Sequence, residues 1–127
     1  MVRYPVIKKI DHGFNVTNVG TEKVMDVVIR YGEVTQKFCV PYCVPKNGGG
    51  GGWFAPMPIQ NEIFMTWKTA DGIRHGATVL VKEKLVSPNR FKSLMLYFDN
   101  DHLTVLQALE QEQNGAVGFE KFPLYQN

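Results

Sequence analysis

The sequence predicts an all-β fold, an antiparallel sandwich of two sheets, on three observations. Apolar and polar residues alternate with a period of two along most of the chain, and β-branched and aromatic residues fill the alternating runs. Turn signals recur roughly every ten residues. With 127 residues, 44% of them hydrophobic, the chain can bury a core as one domain. We therefore expect a single domain over residues 1–127, with an immunoglobulin-like arrangement as the leading hypothesis.

The first two strands are predicted near the start of the chain. The stretch Val6–Val19 indicates one long or bent strand, with Gly13 as a β-bulge. A second strand, KVMDVVIRYG, follows the turn-like Gly20-Thr21-Glu22. Its alternation predicts one face with Met25, Val27, Ile29 and Tyr31 and an opposite face with Asp26 and Arg30.

Two hairpins are predicted in the second half. In EIFMTWKTADGIRHGATVLV, apolar positions alternate with polar ones, and Asp71-Gly72 supplies the positive φ that a tight turn requires. Trp67 lies on the apolar face, so we predict that it packs in the core. A second hairpin turns at Asp99-Asn100-Asp101. The stretch Leu103–Gly115 is the one segment with helical character, and a strand that frays is the alternative.

A glycine- and proline-rich segment at about 41–60 is predicted to be a loop. It contains KNGGGGGWF, in which five glycines precede Trp53 and Phe54. A phosphate-binding loop would need Lys and Ser or Thr where these aromatic residues stand, and no helix follows to bind a dinucleotide. Two interpretations remain: a connection whose aromatic end packs into the core, and a mobile protein-binding loop that presents both rings to a partner.

Composition excludes some classes of partner. The formal net charge is +2, from 14 basic and 12 acidic residues without a dense basic block, so no nucleic-acid partner is indicated. No apolar run approaches the roughly 20 residues that span a bilayer. The start MVRYPVIKK lacks the apolar core of a signal peptide, which fits either a soluble chain or one whose export signal was removed.

No catalytic, metal or cofactor signature is recognised. His12 beside Asp11 could be an oriented base, but a surface histidine at a bulge is the favoured interpretation. His75 and His102 are predicted to lie at strand ends. The sequence Asp99-Asn100-Asp101 lacks the other ligand positions of a calcium loop, so a solvated turn is expected there.

The two cysteines leave three possibilities open. In an extended strand, Cys39 and Cys43 would lie about 13 Å apart, farther than a disulfide permits, and only a turn at Pro41 could join them. Buried or free thiols are favoured, a local disulfide is second and a metal site is third.

The order of four motifs resembles a bacterial family. HGFNVT, GGGGGWF, PMPIQNEIFMTWKTADGIRHGATVLV and LMLYFDNDHLTV, over roughly residues 10–108, are similar to small exported lipoproteins that occur beside type VI secretion effectors. Members next to phospholipase effectors act as immunity proteins. The resemblance implies a periplasmic, lipid-anchored protein without enzymatic activity, which neutralises a lipase-class effector by steric occlusion.

On this interpretation, the partner-binding residues are predicted within the loop and at the first hairpin turn. We expect them to be Asn47, Gly50, Trp53, Phe54 and Asp71. The alternatives are an enzyme or small-ligand carrier with a pocket between the sheets, and a structural module of an envelope complex. Strongly shifted pKa values in a deep pocket would favour the first, and an unpaired sheet edge matched to a donor strand would favour the second.

Overall fold

A computed structural model describes residues 9–38, 49–110 and 119–126; within these ranges, the side chains of residues 38, 49–53 and 119 are not described. The described residues form nine strands and two short 3₁₀ turns. The strands are β1 (Ile10–Asn18), β2 (Met25–Tyr31), β3 (Val34–Phe38), β4 (Gly49–Met57), β5 (Glu62–Lys68), β6 (Arg74–Leu80), β7 (Phe91–Asp99), β8 (His102–Glu110) and β9 (Phe119–Gln126). The 3₁₀ turns, Lys82–Lys84 and Pro88–Arg90, connect β6 to β7.

The strands form two sheets packed face to face, which confirms the predicted all-β sandwich. The five-stranded sheet has the order β4-β1-β7-β8-β9 and the four-stranded sheet the order β3-β2-β5-β6. Described neighbours pair antiparallel, except that β1 and β7 run parallel. In constant-type immunoglobulin domains the first two strands share a sheet. Here β1 and β2 lie in opposite sheets, so the strand order is different.

Both predicted hairpins are confirmed. Strands β5 and β6 pair from Glu62 with Leu80 to Lys68 with Arg74, and Gly72 in the turn has a φ of +86°. Strands β7 and β8 turn at Asn100, which has a φ of 55°. The segment with helical character is a strand as far as Glu110, because its alternate residues are buried in the core; its remainder lies outside the described residues.

The N-terminal strands differ in detail from the prediction. The predicted bulge at Gly13 is wrong: Gly13 pairs regularly with both neighbouring strands, and the irregularity in β1 lies between Asn15 and Thr17. The predicted face of β2 is buried from Val27 onward. Met25 is only partly buried because the pairing shifts between Met25 and Val28, where Asp26 has a φ of 51°.

The predicted loop at about 41–60 is wrong for residues 49–57. These residues form β4, an edge strand that pairs antiparallel with β1. Pairing with β1 uses backbone groups, which glycine also has, so a run of glycines can form a ladder without supplying side chains. Asn15 pairs with Gly52 and Thr17 with Gly49, so an extra residue in β4 bulges opposite β1, which glycine accommodates readily. Residues 41–48, with Asn47 and Cys43, lie outside the described residues, as does Cys39.

The core fills the space between the two sheets. Both sheets contribute large buried side chains, and Trp67 is among them, as predicted. Among the side chains that the structure describes, the largest fully buried ones are Trp67, Tyr31, Phe14, Phe91, Phe98, Ile29, Ile63, Met65, Leu94, Leu96, Leu103 and Leu109. In the described part of the chain, no helix has the length and apolar character needed to cross a membrane.

Candidate partner-binding face

The predicted partner-binding residues are divided between two places. Gly50, Trp53 and Phe54 belong to β4, at the edge of the five-stranded sheet, whereas Asp71 lies in the β5–β6 turn of the other sheet. Phe54 is 53% exposed. It lines a groove to which Asp71 does not contribute. The described residues therefore do not bring Phe54 and Asp71 together in one cleft.

Asp71 has a local structural role. One of its carboxylate oxygens accepts hydrogen bonds from the Thr69 hydroxyl and from the Ile73 backbone N–H, the latter at 3.1 Å. The Thr69 bond is the main cause, and the Ile73 bond the second, of a pKa of Asp71 below its usual value. These contacts stabilise the turn, and they occupy this carboxylate oxygen with hydrogen bonds inside its own hairpin.

Phe54 begins a row of side chains that crosses the five-stranded sheet. Residues directly opposite each other on paired strands point to the same side of a sheet. Phe54 pairs with Gly13, and Gly13 with Ser93. Ser93 then pairs with Ala108, and Ala108 with Lys121. This row lies on the outer face, because the residues that alternate with it in β1, including Phe14, are buried in the core.

Two further rows complete the centre of this face. One contains Asn15, Met95 and Leu106, and the other Thr17, Tyr97 and Thr104. None of the nine outward positions on β1, β7 and β8 in these three rows carries a charge. We call these nine residues the uncharged face: Gly13, Asn15, Thr17, Ser93, Met95, Tyr97, Thr104, Leu106 and Ala108.

A groove of about 270 Å³ lies on the uncharged face. Its floor is formed by Ser93 and Ala108, which are only 5% and 3% exposed. The Ser93 hydroxyl accepts a hydrogen bond from Asn15 Nδ2 at 3.1 Å and donates to the Leu94 carbonyl at 3.2 Å. Because this hydroxyl both accepts and donates a hydrogen bond within the protein, a ligand on the floor does not need to form a hydrogen bond with it.

The groove is bounded by aromatic, thioether and ammonium groups. Phe54 and Met95 supply apolar walls, and Lys92 and Lys121 supply positive charge. The Lys92 ammonium lies 3.5 Å from a carboxylate oxygen of Glu110. The site thus combines an apolar trough with cationic groups at its rim.

The predicted surface position of His12 is wrong, because the chain alternation places it on the inward face of β1. His12 is 1% exposed and packs against Phe91 with ring centroids 5.1 Å apart. Its Nδ1 is 2.7 Å from the Ile10 carbonyl oxygen, which can only accept, so Nδ1 carries the proton. Nε2 consequently accepts a hydrogen bond from the Tyr31 hydroxyl at 2.8 Å.

The hydrogen bond between His12 and Tyr31 joins the two sheets. The Tyr31 hydroxyl also accepts a hydrogen bond from the Gln60 backbone N–H at 3.0 Å. Burial lowers the pKa of His12 and raises the pKa of Tyr31 to about 12. Both groups are therefore held neutral, in a network whose polar atoms satisfy one another inside the core.

The opposite end of the sandwich has a second polar junction. Trp67 Nε1 donates to the Asn100 carbonyl at 2.9 Å, linking β5 to the β7–β8 turn. His75, predicted at a strand end, is the second residue of β6 and stacks on Trp67 with centroids 5.6 Å apart. His102 begins β8, as predicted, and its ring lies 3.5 Å from Asp101. Among the described residues, no three His, Cys, Asp or Glu side chains are grouped so as to hold a metal ion.

Sequence reasoning missed the groove, although a signal was present. The stretches SLMLYF in β7 and LTVLQAL in β8 lack charge at both alternating positions. Strands with this pattern are typically covered on both faces, whereas a half-solvated strand alternates apolar and polar residues.

Comparison with known proteins provides no relative: no family model matches the chain, and neither curated proteins nor solved structures give a match.

Proposed function

We propose that this chain is an immunity protein that binds a lipase-class effector of type VI secretion and blocks it by occupation, without chemistry of its own. The resemblance over residues 10–108 supports the partner class. The exposure of Phe54 beside the uncharged face is the observation that carries the proposed binding mode. On this proposal the protein acts in the periplasm, held at the membrane by a lipid anchor.

Phe54 has the features of an interface anchor. An aromatic side chain that is half exposed at a sheet edge can bury a large apolar area against a partner, and aromatic residues contribute strongly to protein interfaces. The adjoining face is depleted of charge, as the centres of interfaces are. An effector that covers the nine residues of the uncharged face would therefore remove water from no charged side chain among them.

The sheet face supplies part of the area that a stable complex needs. Five strands at about 4.8 Å spacing and nine-residue strands rising about 3.3 Å per residue give roughly 700 Å². A standard interface buries about 800 Å² on each partner. Turns at the ends of these strands must therefore contribute, which is consistent with a partner that wraps over the edge at β4.

The experiment is a titration of a purified lipase-class effector encoded beside this chain. We expect a complex that survives a sizing column and a loss of lipase activity that reaches its limit at a fixed molar ratio. Inhibition that continues at a few hundredths of an equivalent would indicate that the chain acts catalytically, and absence of a complex would reject the immunity role.

A second candidate function, binding of a small molecule, is favoured by a different observation. The apolar groove with cationic groups at its rim has a volume near the lower limit of roughly 300 Å³ that is typical of ligand pockets. This candidate concerns the isolated protein and can be tested without an effector.

A further inference from the structure

We infer that the groove between Phe54 and Lys121 is a binding site for a medium-chain alkyl carboxylate. The alkyl chain would lie across β1, β7 and β8, and its carboxylate would meet the lysine ammonium groups at the rim. This inference stands on the groove itself and does not depend on the proposed immunity role.

The shape of the floor selects a narrow apolar chain. Gly13, Ser93 and Ala108 are three small residues in one row across adjacent strands, and the larger Phe54 and Lys121 stand at the two ends of that row. Strand spacings of about 4.8 Å make this trough roughly 10 Å long between β1 and β8. An extended alkyl chain of eight to ten carbons has about this length, whereas a branched or bulky group would not reach the floor.

The polarity of the floor fits the same occupant. An alkyl chain offers no hydrogen bond, so it is accepted only where the wall atoms already have partners. The Ser93 hydroxyl meets this condition through Asn15 and the Leu94 carbonyl. Met95 and Phe54 give the chain adaptable apolar contacts on its sides.

Charge complementarity decides the head group. Lys121 and Lys92 both line the groove, and the second is already near the Glu110 carboxylate. An anionic head group would therefore gain most from Lys121 and add to an existing pair at Lys92. A cationic amphiphile would be repelled, and a neutral alcohol would gain no charge interaction with Lys121.

The test uses the purified chain with sodium decanoate below its micelle concentration, observed by calorimetry and by amide chemical shifts. We expect saturable binding of one molecule, with shifts on β1, β7 and β8. Hexanoate should bind at least about tenfold more weakly, because it buries four fewer methylene groups. The uncharged probe 1-octanol should bind more weakly than octanoate.

Two variants locate the site. Lys121→Gln should weaken decanoate binding by roughly three- to tenfold and leave 1-octanol unchanged, whereas Ala108→Phe should fill the trough and abolish both. Lys37→Gln, on the outer face of the other sheet, is the matched control and should have no effect. Because Lys121 is exposed at an edge strand, its variant remains informative if Ala108→Phe fails to fold.

Three results would overturn the inference. These are no binding of decanoate, equal binding by the wild type and the Lys121→Gln variant, and shifts confined to residues away from the groove. If decanoate does not bind but a capped Glu-Phe-Glu peptide does, the groove is a site for an acidic protein segment instead.

Discussion

The outer faces of the two sheets differ in charge. In the four-stranded sheet, outward positions carry Arg30, Lys37, Glu62, Lys68 and Arg74. In the five-stranded sheet, the nine central positions that make up the uncharged face lack charge, and outward charged residues lie at the margins, at Asp11 near the start of β1 and Lys121 on the edge strand β9. An antiparallel sheet with one face in the core ordinarily has polar and charged residues on the other. The four-stranded sheet follows this rule, and the five-stranded sheet departs from it at its centre.

On the proposed function, this difference assigns the partner to the five-stranded sheet. Among the described side chains, each face carries one exposed phenylalanine, Phe54 at 53% exposure and Phe64 at 37%. Their surroundings differ, because Phe64 stands in a row with Arg30 and Thr78, whereas Phe54 adjoins the apolar groove. Exposed hydrophobic residues that occur singly are ordinary, while those that join an uncharged area mark interaction surfaces.

The largest expected effect separates the two phenylalanines. Phe54→Ala should weaken binding to the proposed lipase-class effector by about 2 kcal/mol or more, roughly thirtyfold, because it removes the proposed anchor of the interface. Phe64→Ala should change affinity by less than about threefold. Calorimetric titration measures both, and thermal unfolding checks that each variant is folded. Equal losses in the two variants would show that the faces do not differ in binding.

The next effect concerns charge placed on each face. Met95→Lys should weaken the complex by about 1–2 kcal/mol, because the ammonium group loses water when a partner covers the uncharged face. Thr78→Lys places the same group on the outer face of the four-stranded sheet, where charge is already present, and should leave affinity nearly unchanged. A surface-immobilised binding assay compares the two. If Thr78→Lys is the more damaging variant, the partner docks on the other sheet.

Acid should lower the free energy of unfolding through His12, whose hydrogen bond to Tyr31 joins the two sheets. Folding lowers the pKa of His12, so below about pH 6.5 the unfolded chain binds a proton that the folded chain excludes. Stability is therefore fully present above the unfolded pKa and falls as the pH drops toward the folded pKa. Urea unfolding at several values between about pH 7.5 and pH 5 measures this slope.

A matched pair of variants assigns the acid effect to its residue. His12→Asn removes the titrating ring and should flatten the pH dependence, at the cost of lower stability near pH 7 because the Tyr31 hydroxyl loses its acceptor. His102→Asn changes an exposed ring at the start of β8 and should retain the slope. An unchanged slope in His12→Asn would assign the acid effect to other groups.

The smallest effect is expected on the charged face. Arg74 forms an ion pair with Asp26 and donates to the Thr66 hydroxyl at 3.1 Å, but the pair is solvent-accessible. Arg74→Ala should lower the free energy of unfolding by less than about 1 kcal/mol, and added salt should reduce the difference. Urea unfolding at low and high salt measures it. A loss of several kcal/mol would mean that this face is held together by its charges.

Local patterns predicted the hairpins well. The alternation of Ile63, Met65 and Trp67 sets the inward face of β5, and Asp71-Gly72 sets its turn, because both signals act over a few neighbouring residues. The sandwich itself followed from these repeated runs. What the sequence could not reveal was which strands lie side by side, since this depends on contacts between distant segments.

The glycine strand shows why part of the site escaped prediction. Glycine has no side chain, so the run from Gly49 to Gly52 has no alternation to mark it as a strand, and glycine is rare in strands generally. Its register is set by β1. Once Phe54 is placed opposite Gly13, its outward direction follows. The groove required a further step, the alignment of Ser93 and Ala108 beside Gly13, which comes from two other strand pairs.

The parallel pairing of β1 with β7 closes the longest loop among the described strand pairs. Gly13 and Ser93 are neighbours in the sheet but about 80 positions apart in sequence, so their contact closes a long loop, whereas each hairpin closes a short one. During synthesis on a ribosome, β1 can pair with β7 only after β7 has emerged. The hairpins β5–β6 and β7–β8 can form first and offer β1 a surface to join. Because the groove beside Phe54 needs β7 and β8 next to β1, the face that carries Phe54 is completed only after this long loop has closed.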